Sequence, residues 1–183
     1  ESEGDEGAIA TVSAQLARLL FFEGRTDDAM SHVERALELA EHLQLEPVVV
    51  EALINKALIL QSRPNESLGL MRQALVLSEE CGFDRGTLRA CMNLSYLLSL
   101  AGRNAESMDV VERGLALARR RGDRVWEQAL LNNLISGHYV AGHWDDVERL
   151  FAELPEEGRI ASNPVQAGTR LLLAELAHNR GET

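Results

Sequence analysis

Gly24-Arg25-Thr26-Asp27-Asp28-Ala29-Met30 runs into Val33-Glu34-Arg35-Ala36-Leu37-Glu38-Leu39-Ala40, and the whole pattern returns 78 residues later. The second copy is Gly102-Arg103-Asn104-Ala105-Glu106-Ser107-Met108, followed by Val111-Glu112-Arg113-Gly114-Leu115-Ala116-Leu117-Ala118. Between them stands Ser62-Arg63-Pro64-Asn65-Glu66-Ser67-Leu68 with Met71-Arg72-Gln73-Ala74-Leu75-Val76-Leu77-Ser78, and Gly142-His143-Trp144-Asp145-Asp146-Val147 opens a further copy. The turn positions 24, 62, 102, 142 and 181 are 38, 40, 40 and 39 residues apart. A fixed period of this size marks a stacked repeat, in which each unit buries its apolar face only against its neighbours.

Each repeat reads as two helices. The first carries apolar residues at helical spacing, as in Leu16, Leu19, Leu20 or Leu94, Leu97, Leu98. It closes at Gly24, Gly102 or Gly142, since glycine takes a left-handed conformation without a Cβ penalty. Thr26, Asn65 or Asn104 is the expected N-cap of the second helix, with a carboxylate in the turn that follows. The second helix carries small residues (Ala29 and Ala36, Ser67 and Ala74, Ser107 and Gly114) that let helices approach closely. Nine helices are expected, at 8–23, 26–42, 46–61, 65–81, 85–101, 104–121, 124–141, 144–153 and 165–180. Residues 1–7 read as an acidic disordered lead-in. Residues 8–183 then form one all-α, right-handed superhelical solenoid of antiparallel pairs. Its repeats fall at about 8–45, 46–83, 84–123 and 124–163, with a half repeat at 164–183.

Composition agrees. Leucine (30) and alanine (22) are plentiful among 183 residues while aromatics make up 4%, which favours helix over sheet. Eighteen cations against 29 carboxylates leave a net charge of −11, so neither nucleic acid nor an anionic membrane is expected as a partner. The Arg119-Arg120-Arg121 cluster, with Arg124 beside it, reads as a helix end where cations suit the dipole. No apolar run reaches membrane-spanning length and the first residues are acidic, so the expected location is cytoplasmic. Without an initiator methionine and with a pattern cut at Gly181, the chain reads as a piece of something larger.

The period, the small residue in helix one (Ala17, Ser95), the glycine turn and the alanine pair of helix two resemble the tetratricopeptide repeat (TPR) family over residues 8–183. Asn55 and Ile135 depart from the small residue, Val147 replaces the alanine, and the closing proline is absent from the first three repeats. Glu51-Ala52-Leu53-Ile54-Asn55-Lys56-Ala57-Leu58-Ile59-Leu60 and Ala129-Leu130-Leu131-Asn132-Asn133-Leu134 further resemble repeats of large bacterial signalling ATPases. Those carry an adenylate/guanylate cyclase or a LuxR-type DNA-binding domain. The cyclase-linked type is the reading taken, with the LuxR-type regulator and a passive scaffold as rivals.

Chemistry is sparse. The only lysine, Lys56, stands within a helix rather than in a phosphate-binding loop. His138 and His143 lie five apart across a turn, without the one-face spacing of a helical zinc motif, and no metal or cofactor is expected. Asp27-Asp28 and Asp145-Asp146 recur at helix starts and read as dipole partners. Cys81 and Cys91 read as idle thiols. No catalytic residue is expected. The family resemblance implies instead that the first helices line a concave groove. Equivalent positions then put Arg18, Lys56, Tyr96 and Ser136 in one row. Ala14, Ala52, Met92 and Asn132 come one turn earlier, and Phe21, Ile59, Ser99 and Tyr139 one turn later. Arg89, Asn93 and Asn133 extend the surface. Arg18 and Lys56, cations on an acidic protein, point to an acidic or C-terminal-carboxylate peptide or protein ligand, or to contact with another domain of the parent. The competing expectation is that both pair with local carboxylates.

Overall fold

The leucine- and alanine-rich stretches between the turns fold as α-helices in a computed structural model that describes residues 2–154. They are α1 (Ser2–Phe22), α2 (Thr26–His42), α3 (Glu46–Ile59), α4 (Pro64–Glu80), α5 (Asp84–Leu100), α6 (Asn104–Arg121), α7 (Arg124–Ala141) and α8 (Trp144–Glu153). No strand occurs among the described residues. The expected helix at 165–180, the connection from Pro155 to Pro164 and the turn at Gly181 lie outside them.

The chain divides into two compact units, Glu1–Ala101 and Gly102–Thr183. In the first, α1 packs on α2, α2 on α3, α3 on α4 and α4 on α5. The first helices also touch one another, α1 with α3 and α3 with α5, and no comparable contact joins α2 to α4. Helices α1, α3 and α5 therefore form the closer-set layer of this unit. Small residues permit the approach: Ala10, Ala14, Ala17, Ala29, Ala36 and Ala57 are all buried. Ser67, buried at the same kind of contact, donates its hydroxyl to the Ala57 carbonyl at 2.7 Å. In the second unit α6 packs on α7 and α7 on α8, around Val111, Leu115, Leu131, Ile135, Val147 and Leu150.

Helix α1 begins at Ser2, so residues 2–7 are helical and not a disordered lead-in. Two features extend it. Asp5 and Glu6 lie near its positive end, and Gly7 sits against α2's exit, where an added Cβ would come within 3.5 Å of Leu45 Cδ1. The helix also leaves Ile9, Val12, Leu19 and Phe22 exposed opposite its buried alanine stripe.

The expected N-caps are also corrected. Thr26 and Asn104 are the first residues of their helices and Asn65 the second residue of α4; the cap positions are Arg25, Arg63 and Arg103, which make no capping hydrogen bond. Each arginine instead reaches a carboxylate three residues on. Arg25 Nε donates to Asp28 at 2.8 Å, Arg63 Nη1 to Glu66 at 3.4 Å and Arg103 Nε to Glu106 at 2.5 Å. These exposed pairs contribute little individually, but they hold the turn and the first helical residues together.

Helix ends are set by backbone handedness. Gly24, Gly82, Gly102, Gly122 and Gly142 have φ between 67° and 78°, and Gln44 stands at the equivalent turn with φ 54°. An L-residue with a Cβ is strained there. Gln44→Gly is therefore expected to raise stability in urea melts by about 0.5–1 kcal/mol, and Gln44→Val to lower it. A loss with glycine would contradict the left-handed turn at this position.

Candidate functional site

The close-set layer of the first unit brings together residues far apart in sequence. Asn55, at the repeat position that holds Ala17 one unit earlier, projects from α3 and donates its amide to the Ala14 carbonyl of α1 at 2.8 Å. Its amide oxygen accepts from Arg89 Nη2 of α5 at 2.6 Å. The same guanidinium donates through Nη1 to the Glu51 carboxylate of α3. The Arg89 and Glu51 side chains are only 11% and 15% exposed. One polar chain thus runs across three neighbouring helices. Its members satisfy one another, as buried polar groups must.

Charge in this network is lopsided. Burial pulls the Arg89 guanidinium down to about 10, and the nearby Arg18 charge adds to the effect. Arg18 and Lys56 are half-buried, and neither forms an ion pair with a described residue. The expectation that both pair with local carboxylates is therefore not met among the described residues. Glu51 is the carboxylate that answers Arg89, and Arg18 has no ion pair among the described residues.

The other expected groove residues divide. Tyr96 is 49% exposed, and Met92 and Asn93 are half-buried on the same helix. Asn93 donates its amide to the Arg89 carbonyl one turn back, at 2.8 Å. Phe21 packs instead against the core cluster of Ala17, Leu20, Ala29, Val33 and Ile59. Ala14 and Ala52 are instead enclosed with Ala36 of α2. In the second unit Asn132 is 4% exposed, so its side chain belongs to the interior of α7 rather than to a peptide-binding surface. Asn133 and Tyr139 are half-buried on α7, and each is engaged within the chain.

In the sequence Asn55 stands out as a departure from the small residue, and neither it nor Glu51 is assigned to the groove. A polar amide at a position reserved for alanine was the available signal. Such a residue is kept inside only if partners await it.

Paired helices, close-set first helices and small-residue contacts together decide the architecture. The array is TPR-like. With a TM-score of 0.81, the chain is similar to the crystal structure of aspartyl phosphate phosphatase F from Bacillus subtilis, a TPR-like helical repeat protein. Identity is 12%, and the match covers 91% of this chain but 45% of the other. The likeness therefore shows the fold alone, and this chain spans less than half the length of that protein. No family model matches the chain, and no curated protein sequence matches it. No helix among the described residues is long and apolar enough to cross a membrane.

Proposed function

We propose that this chain is a non-catalytic interaction module that binds an acidic peptide segment, or a C-terminal carboxylate, on the α1–α3–α5 layer of its first unit. The carrying observation is Arg18 and Lys56 without carboxylate partners among the described residues, beside an Arg89 already strained by burial and by Arg18. A ligand carboxylate placed there relieves a repulsion the free protein bears. Its attraction is gained without breaking an existing pair. Tyr96 offers an exposed ring for an apolar neighbour of that carboxylate. The name of the Bacillus subtilis protein gives it action on an aspartyl phosphate. At 12% identity that activity is not carried over.

The parent protein is read as a cytoplasmic bacterial signalling protein of the cyclase-linked ATPase type, on the resemblance of Glu51–Leu60 and Ala129–Leu134 to its repeats. The LuxR-type regulator and the passive scaffold are its rivals, and the domains encoded beside this region decide among them.

Fluorescence anisotropy with a labelled Asp/Glu-rich peptide, read against its Lys-rich counterpart, tests the binding reading. Binding of the acidic peptide should weaken at least tenfold, roughly 1.4 kcal/mol, in the Arg18→Glu/Lys56→Glu double variant. It should also weaken as salt is raised past the point where the Debye length falls below about 10 Å. The melting curve of the variant should stay close to that of the parent chain. Undiminished binding by the double variant at low salt would sink the proposal.

A further inference from the structure

The fourth copy of the repeated turn differs from the other three in a chemically pointed way. Where Arg25, Arg63 and Arg103 reach the carboxylate three residues on, the equivalent position holds His143, and Asp146 is the residue three on. Guanidinium cannot ligate a metal; neutral imidazole can. Gly142, with φ 75°, turns the chain between α7 and α8, and this reversal brings His138 of the last turn of α7 against both residues.

The resulting geometry is specific. The Nδ1 atoms of His138 and His143 face each other at 3.4 Å. His138 Nδ1 stands 3.7 Å from Asp146 Oδ2. Two ligand atoms each about 2.1 Å from one ion, at a tetrahedral angle, are about 3.4 Å apart. All three candidate ligand atoms lie within 4.8 Å of one another. The two oxygens of Asp146 are divided between tasks. Oδ1 accepts from Arg149 Nη2 at 2.9 Å, while Arg149 Nη1 donates to Glu153 at 3.2 Å. Oδ2 is the oxygen that faces the histidine. An arginine that fixes one carboxylate oxygen and leaves the other pointing at the imidazoles does what the outer shell of a metal site does. An open cleft of about 480 Å³, lined by Gly142, His143, Trp144, Asp145 and Asp146, gives water access to the same place.

We propose that His138, His143 and Asp146 form a binding site for a borderline divalent transition-metal ion of the zinc class, with water completing the shell. Two imidazoles and one carboxylate suit zinc, nickel or copper and disfavour magnesium. Ligands from the end of α7, the turn and the start of α8 mean that the ion ties the two helices together at their shared end. Occupancy then sets how firmly α8 is held on α7.

The test uses the full chain, stripped with a chelator, melted with and without zinc chloride, and titrated by calorimetry. Zinc in large excess over its dissociation constant should raise the melting midpoint by about 5 °C with one ion bound per chain, and magnesium should not. The decisive variant is His143→Arg, which restores the arrangement of the three earlier turns and so keeps the fold while removing a ligand. It should melt like the zinc-free parent and lose the zinc shift. Should that variant fail to fold, Asp146→Asn makes the same comparison. A parent chain whose melting ignores zinc overturns the site. So does a zinc shift that survives in His143→Arg, since the ion would then be held by other histidines such as His32 and His42.

Discussion

Leu94→Ala lowers the unfolding free energy by about 3–4 kcal/mol, read from urea denaturation of the intact chain. Leu94 is 2% exposed in the middle of α5, a helix that packs on both α4 and α3. Truncation removes the transfer energy of the lost carbons and leaves a cavity that two helices cannot both move to close. Repeat stacks gain stability from each unit and its immediate contacts, so no distant region compensates. Tyr96→Ala is the internal control: two residues on and 49% exposed, it should cost less than about 1 kcal/mol. Equal losses at the two positions would mean that α5 presents a different face to its neighbours.

Glu51→Ala should cost about 3 kcal/mol, the low end of what breaking a buried ion pair exacts, because water still reaches a tenth or so of each side chain. The loss arises less from the attraction removed than from the Arg89 cation left behind, already pulled down to about 10 by burial and by Arg18. That account separates two variants. Replacing both partners, Glu51→Leu with Arg89→Leu, should recover most of the loss. Arg18→Gln in the Glu51→Ala background should recover part of it, by removing the repelling charge. If Glu51→Ala melts like the parent, the Arg89–Glu51 contact carries no stability and the network is incidental.

How much of this was legible beforehand follows from the range of each interaction. Among the described residues, the helices from Thr26 onward begin within one residue of their expected starts and end within two, because Gly24, Gly102, Gly142 and the Ser62 turn announce themselves locally. The return turns also fall in the gaps between the expected helices, but no residue is assigned there to set their handedness, since Gln44 breaks the glycine pattern that Gly82 and Gly122 share. The N-caps were misread because Thr and Asn carry capping propensity, whereas the Arg25, Arg63 and Arg103 pairs require knowing where each helix starts to within one residue. The Ala14–Asn55–Arg89–Glu51 chain was invisible for a different reason. Its links join residues 34 to 41 apart on separate helices, and the register between those helices is not written in any one of them. His138 and His143 were set aside because five residues is the wrong spacing on one helix. Only the reversal at Gly142 makes it a short distance.

Arrays of this kind arise by duplication, and near-identical units can in principle be lost or multiplied by recombination without harm. The hydrogen bond from Asn55 to the Ala14 carbonyl forbids that freedom in the first half of this chain. Excising one period, residues 46–83, would bring α5 up against α1 and place Asn93 where Asn55 had been and Arg89 where Glu51 had been. The Asn93 amide is already given to the Arg89 carbonyl of its own helix at 2.8 Å, and an arginine in place of Glu51 offers no carboxylate to a neighbouring cation. Arg89 would lose Asn55 and Glu51 together. The second repeat is thus a keyed part, readable only between its present neighbours. A lineage carrying this network can change its length at the ends of the array but not within these three helices.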